Sequence, residues 1–342
     1  MTAVHKGLDL VALDRFLRRS GVAVDGELRA ELISGGKSNL TYGILDDTSH
    51  WVLRRPPTAG LTPSAHDVAR EYRITSALQG SAVPVARTVA LCEDDSVMGA
   101  PFTVVEYVGG RVVRSKDDLD SLSDTDIDRC TSELVRVIAE LHAVDYEAVG
   151  LGGFGRPDGY VTRQVKLWQS QWDRVKTREL PDVERLHAAL ADSIPESPTP
   201  SIVHGDYRID NTILSHDDVG SVAAVVDWEL STLGDPLTDL AMMCVYRHPA
   251  LDQVLGFPAA WTSNRLPSAD DLVERYATVS GRDIAHWSFY MGLAHFKLAV
   301  IAEGINHRWR AGATVGDGFD RAGDAVPALV AAGLDFVTGA GS

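Results

Sequence analysis

Apolar positions along this chain repeat with two different periods. Leu10, Leu13, Phe16 and Leu17 recur at helical spacing within residues 8–19, and Gly21 follows just past the end. This predicts an amphipathic helix with a glycine stop. Ile127, Cys130, Leu134, Val137, Ile138 and Leu141 keep the same period over 127–142, with His142 at the end. That histidine is expected to be structural, a helix terminus being a favourable place for a cation. Further helices are expected over 65–78, 160–172, 271–279 and from Trp287 to about Arg310. Asp235 followed by Pro236 reads as the N-cap and first position of another, running to about Tyr246.

Short β-branched and aromatic runs mark strands instead. They are Trp51–Arg54, Pro101–Tyr107, Ile202–Val203, Thr212–Leu214 and Val222–Val226. The run at 101–107 ends in Val108-Gly109-Gly110, which reads as a hinge. At 342 residues the chain is long enough for two lobes, here placed at 1–107 and 108–342.

Composition narrows the function classes. Hydrophobic content of 45% and charged content of 23% are those of an ordinary globular protein. Cys92, Cys130 and Cys244 are odd in number and far apart, so a disulfide scaffold or cysteine zinc site is not expected. A reducing, cytoplasmic setting follows. Residues 1–10 lack the apolar core of a signal peptide, and no apolar run reaches the length of a membrane span. A net charge of −16 argues against nucleic acid as a partner. Six aspartates crowd 116–128 in a spacing that fits no calcium loop, and read as a solvated loop and acidic helix start.

The chemistry concentrates in 201–229. Val203 runs into His204-Gly205-Asp206, and Asn211 follows five residues after that aspartate. Two apolar runs then flank a polar turn, and the second stops at Asp227. Such a hairpin should bring Asn211 and Asp227 to one rim. Oxygen ligands from an Asn and an Asp beside another Asp suit Mg²⁺ carrying phosphates. Asp206 is then the proton acceptor for an attacking hydroxyl. Upstream, Gly35, Gly36, Ser38 and Asn39 form a small-residue turn able to approach phosphates, though without Walker A spacing. Arg54 at a strand end and Glu71 within a helix make the cation–carboxylate pair that grips α and β phosphates in kinases. The backbone edge from Glu106 to Val108 is placed to bind an adenine ring.

These motifs together resemble the aminoglycoside phosphotransferase and choline kinase superfamily. The wording G-G-x-S-N-L-T-Y (35–42), V-L-R-R-P-P (52–57), R-E-Y-R (70–73), H-G-D-Y-R-I-D-N (204–211) and D-W-E-L-S-T-L-G-D-P-L-x-D-L (227–240) is similar to the branch fused to acyl-CoA dehydrogenases in animals. The resemblance implies an α+β, bilobal, protein-kinase-like fold with a β-rich N-lobe and a mainly helical C-lobe. It implies ATP and Mg²⁺ as cofactors, and Asp239 as a brace for the catalytic loop. The acceptor implied is a small-molecule hydroxyl, a hydroxy acid or hydroxyacyl-CoA ahead of an aminoglycoside. Two other classes compete: a binding module that transfers nothing, and a metal-dependent hydrolase built on His204 and Asp206 with His216 as the nearby ligand. Trp168 and Trp172 are read as a packing stripe ahead of a substrate platform, and Lys297, Arg308 and Arg310 as solvated ahead of meeting a carboxylate or phosphates.

Overall fold

Asp9 starts the first helix by accepting hydrogen bonds from the amides of Val11 and Ala12, each at 3.0 Å. The helix, α1, spans Leu10–Arg19 in a computed structural model that describes residues 7–34, 39–56, 67–196, 199–314 and 318–339. Five strands follow: β1 (Arg29–Ser34), β2 (Leu40–Leu45), β3 (His50–Arg55), β4 (Thr88–Cys92) and β5 (Phe102–Glu106). Helix α2 (Val68–Ala77) lies between β3 and β4 in sequence, and the one-turn α3 (Asp95–Met98) between β4 and β5. The sheet is antiparallel throughout, in the order β1-β2-β3-β5-β4.

Alternation along β3 decides what each face does. Trp51 and Leu53 are buried with Tyr42, Ile44, Phe102 and Val104 in one core that also takes Leu13 and Leu17 of α1. Period two then sends Val52 and Arg54 to the other face. Arg54 is a charged residue on the face that α1 does not cover, and that is where its partners are found.

The chain divides into two compact units, Met1–Gly109 with Ala223–Ser231, and Gly110–Val222 with Thr232–Ser342. The second unit begins with α4 (Lys116–Asp120), α5 (Asp124–Ala143), α6 (Tyr160–Val175) and α7 (Pro181–Asp192). The short strands β6 (Ser201–Val203), β7 (Thr212–Leu214) and β9 (Thr232–Gly234) follow, while β8 (Val222–Val225) belongs to the first unit from Ala223 onward. The second unit ends with α8 (Pro236–Val245), α9 (Leu251–Leu255), α10 (Ala269–Ser280), α11 (Trp287–Arg310) and α12 (Ala325–Thr338). β7 and β8 are the two strands of the expected hairpin, and β6 pairs with β9.

One local expectation needs refining. The acidic stretch 116–128 holds the expected helix start but little loop: Ser115 and Asp118 form a capping box for α4, and Ser123 caps α5. Side-chain oxygens here satisfy helix-end amides, which is why aspartate and serine crowd the segment. The division between the two units falls between Gly109 and Gly110. A Cβ on Gly110 would run into Ile213 and the carbonyl of Leu214, so close packing on β7 demands glycine.

Candidate active site

The turn after β6 is built around one buried carboxylate. Gly205 takes a φ of 85°, open to glycine at no steric cost, and this turns two successive amides the same way. The amide of His204 donates to Oδ2 of Asp239 at 2.6 Å and that of Gly205 to Oδ1 at 2.7 Å. Asp239 stands in the first turn of α8, whose start is fixed by Asp235 capping the amide of Leu237. His142 at the end of α5 lies 3.4 Å from Oδ2 of Asp239, and its Nδ1 lies 2.7 Å from the Tyr276 hydroxyl. Burial alone would raise the Asp239 carboxyl, but its bonds and charges from His142 and His204 outweigh that and hold it below the usual range. His142 is structural, as expected, but for another reason. Burial pulls its pKa down, which favours a neutral ring in a hydrogen-bond chain over a cation at a helix end.

Asp206 is held on both oxygens. The Tyr246 hydroxyl donates to Oδ1 at 2.6 Å and the Asn211 side-chain amide to Oδ2 at 3.0 Å. Asn211 also donates to the Asp206 carbonyl at 2.8 Å. Its nitrogen is thereby committed toward Asp206, which leaves its carbonyl oxygen as the group for a cation. Arg208 adds charge, 3.4 Å from Oδ1 of Asp206 and 3.1 Å from Asp210, with its guanidinium over the Tyr246 ring. Buried Tyr207 anchors the loop by donating to the Leu134 carbonyl at 2.9 Å.

In the first unit, Arg54 bridges two acids, 3.1 Å from Glu71 and 3.4 Å from Asp227. Asn39 donates to Glu71 at 3.4 Å, while its own buried Oδ1 has no hydrogen-bond partner among the described residues. Asp227 adopts a φ of 67°, unusual for a residue with a Cβ, just before a 3₁₀ turn at Trp228–Leu230. Burial, together with Asp227 and Glu229, lifts the Glu71 carboxyl to about 7 against the pull of Arg54. The guanidinium is correspondingly locked in its charged form, its burial outweighed by those acids. Glu71, Asp227 and Glu229 bring one carboxylate oxygen each within 4.8 Å of one another. Such an all-oxygen donor set fits Mg²⁺ and not a soft metal.

The expected site residues therefore fall into two groups, Arg54, Glu71, Asn39 and Asp227 in the first unit and Asp206, Asn211 and Asp239 in the second. Gly35, Gly36 and Ser38 lie outside the described residues. Glu106 ion-pairs with Arg87, and its amide donates to the Arg87 carbonyl at 2.8 Å. The next amide, of Tyr107, donates to the His50 carbonyl at 3.0 Å, so both are already committed before Val108.

A pocket opens beside the Asp206 turn, within the second unit. Its lining includes Tyr160 and Trp168 of α6, Met242 of α8, Tyr290, Leu293 and Lys297 of α11, and Gly205. Trp172 packs in the core, but Trp168 does not belong to the same stripe: it faces this pocket. Arg308 and Arg310 are exposed as expected, whereas Lys297 is part-buried and lines this pocket with its ammonium on the Gly205 carbonyl. Its signal was a single lysine inside the apolar run 289–302. Tyr246 was missed as well. It lies two helical turns beyond Asp239, and so on the same side of α8.

The profile of the phosphotransferase enzyme family matches residues 29–272. The chain belongs to that family. A solved structure from Ralstonia eutropha, assigned to the aminoglycoside phosphotransferases, is 34% identical with a TM-score of 0.84, over 97% of this chain and 98% of that one. Acyl-CoA dehydrogenase family member 10 of Mus musculus is 34% identical over 96% of this phosphotransferase chain, which spans only 31% of that relative's length. The aminoglycoside phosphotransferase APH(4)-Ia, solved with AMP-PNP and hygromycin B, shares 16% identity at a TM-score of 0.62, over 97% of this chain and all of its own. That likeness carries the fold, which is protein-kinase-like, with the sheet in the N-terminal part and the helices in the C-terminal part. Among the described residues, no helix is long and apolar enough to cross a membrane.

Proposed function

We propose that this phosphotransferase transfers the γ-phosphoryl group of ATP to a hydroxyl of a small molecule bound beside Gly205. The observation that carries the reading is the Asp206 carboxylate, fixed on both oxygens by Tyr246 and Asn211 and next in sequence to Gly205 of the pocket lining. Asp206 takes the proton of the acceptor hydroxyl as its oxygen bonds to the γ-phosphorus and the bond to the β–γ bridging oxygen breaks, releasing ADP. Arg54, braced by Glu71, holds the α and β phosphates with Asn39, and Gly35, Gly36 and Ser38 are assigned to the same phosphates on the sequence pattern alone. Val108 and the backbone after Glu106 take the adenine. Asn211 and Asp227 would hold Mg²⁺, which when bound offsets phosphate charge. Asp239 braces the turn.

As acceptor, a hydroxy acid or hydroxyacyl thioester suits this pocket better than an aminoglycoside. Asp239 is the carboxylate on the pocket lining, and both its oxygens are committed to backbone amides. A polycationic sugar would meet Lys297 and no spare acid. The names of the longer relatives, which concern acyl-CoA, point the same way. A binding module without catalysis has no need of a doubly anchored Asp206, and a hydrolase would need metal ligands around His204. The described His, Cys, Asp and Glu clusters include neither His204 nor the exposed His216. Three free, buried cysteines suit a reducing, cytoplasmic setting. Mg-ATP consumption with hydroxy acids, hydroxyacyl thioesters, amino alcohols and aminoglycosides, each offered separately, tests the reading.

A further inference from the structure

Helix α11 is buried along most of its middle, from Phe289 to Val300, yet it carries a lysine there. Lys297 keeps part of its surface accessible, and its ammonium calls for partners from the protein or a ligand wherever packing excludes water. Lys297 has few. Its Nζ donates to the Gly205 carbonyl at 3.2 Å and stands 5.6 Å from the centre of the Trp168 ring. Neither partner bears a formal charge, and among the described residues Lys297 makes no ion pair. An ammonium has three protons to donate. Burial lowers its pKa, while Asp206 and Asp239 push it back up. The nearby acid on α8 is no partner in waiting, because Asp239 spends both oxygens on the His204 and Gly205 amides. Asp235 likewise accepts from Leu237 and from the Tyr290 hydroxyl at 2.7 Å. Asp206, whose charge also acts on Lys297, is held by Tyr246 and Asn211, so the pocket holds a positive charge with donors to spare and no ion-pair partner among the described residues.

We propose that Lys297 is the acceptor-specificity residue of this enzyme, binding a carbonyl or carboxylate oxygen of the molecule whose hydroxyl is phosphorylated. The inference rests on the reading of this pocket as the acceptor site of a kinase. Gly205 precedes the proposed base, so an oxygen bound at Lys297 lies at the reacting end of the pocket. Trp168, Met242 and Leu293 then take the carbon chain. The ligand class is a hydroxylated acyl compound, as a free acid or a thioester. An oxygen there would complete the coordination of Lys297, whereas a ligand ammonium would be repelled. If Lys297 served only to staple the Gly205 turn, its removal would lower stability and affect every acceptor alike.

Calorimetry in the presence of saturating AMP-PNP separates these roles. The probes are 3-hydroxyhexanoate, its N-acetylcysteamine thioester, and 1,3-hexanediol, which has the hydroxyl and the chain without the acyl oxygen. Wild-type protein is expected to bind the acid or the thioester at least about tenfold more tightly than the diol, as for one hydrogen bond to a charged group. Which of the two is preferred identifies the source of the oxygen. K297M should abolish the preference and K297R should keep part of it. Equal binding of all three probes to wild type, no binding of the acid or the thioester, or a preference that survives in K297M would overturn the proposal. The wild-type comparison needs no variant, so a K297M that does not fold leaves the decision intact. Failure of the kinase reading looks different: the acid or thioester binds through Lys297, but no acceptor is phosphorylated.

Discussion

Tyr246 and Asp206 are joined by a hydrogen bond of 2.6 Å between a buried hydroxyl and a carboxylate oxygen. Burial first, and then the charge of Asp206, raises the tyrosine pKa well above its usual value, so the hydroxyl stays a donor. Together with Asn211 on the other oxygen, it leaves the carboxylate little freedom to rotate. Tyr246→Phe should lower kcat by roughly tenfold, the scale of one hydrogen bond to a charged group, with KM for ATP unchanged. Steady-state kinetics check this, and an unaltered kcat would show that the bond does not set the position of the base.

Asp239 makes a prediction about stability. Its carboxylate satisfies the His204 and Gly205 amides and lies beside buried His142. Asp239→Ala strands these groups in the interior and should cost about 3–5 kcal/mol, as for breaking a buried charged network. Urea unfolding measures it. A loss below about 1 kcal/mol, the scale of an ordinary surface change, would mean the turn is held by something else.

The Glu71 carboxyl, lifted to about 7 by burial and by the neighbouring acids, makes stability depend on pH. Below about 4.5, its ordinary value, it is protonated both folded and unfolded. Above that the unfolded chain releases the proton while the folded chain retains it, so this group's contribution falls as pH rises toward 7. Unfolding free energies measured from pH 4.5 to 7 should therefore decline less steeply in Glu71→Gln than in wild type. Identical slopes would remove Glu71 as the source.

Asp227→Ala should weaken Mg-ATP binding by at least tenfold, the loss expected when a carboxylate ligand to the metal is removed. ATP titrations with and without Mg²⁺ isolate the effect. An unchanged magnesium-dependent affinity would reassign the metal ligand.

Much of this architecture was readable from the sequence. The helix of α1 follows from Leu13 and Leu17 at i, i+4, and α8 begins where Asp235-Pro236 places it. The pairing of Arg54 with Glu71 was readable because a strand cation and a helix acid have one reason to coexist in a kinase-like lobe. Tyr246 was not assigned and Lys297 was read as solvated ahead of meeting a carboxylate, since a tyrosine ending an apolar helix and a lysine within one are both common surface features. Only packing shows that these two turn inward.

Base catalysis by Asp206 is open to direct test by single-turnover transfer of label from γ-³²P-ATP to an accepted hydroxyl compound, comparing wild type with Asp206→Ala. Wild type should transfer the label, and the variant should lose at least about a hundredfold in rate, the lower end for a general base, while still binding ATP. Full-rate transfer by Asp206→Ala would contradict the assignment.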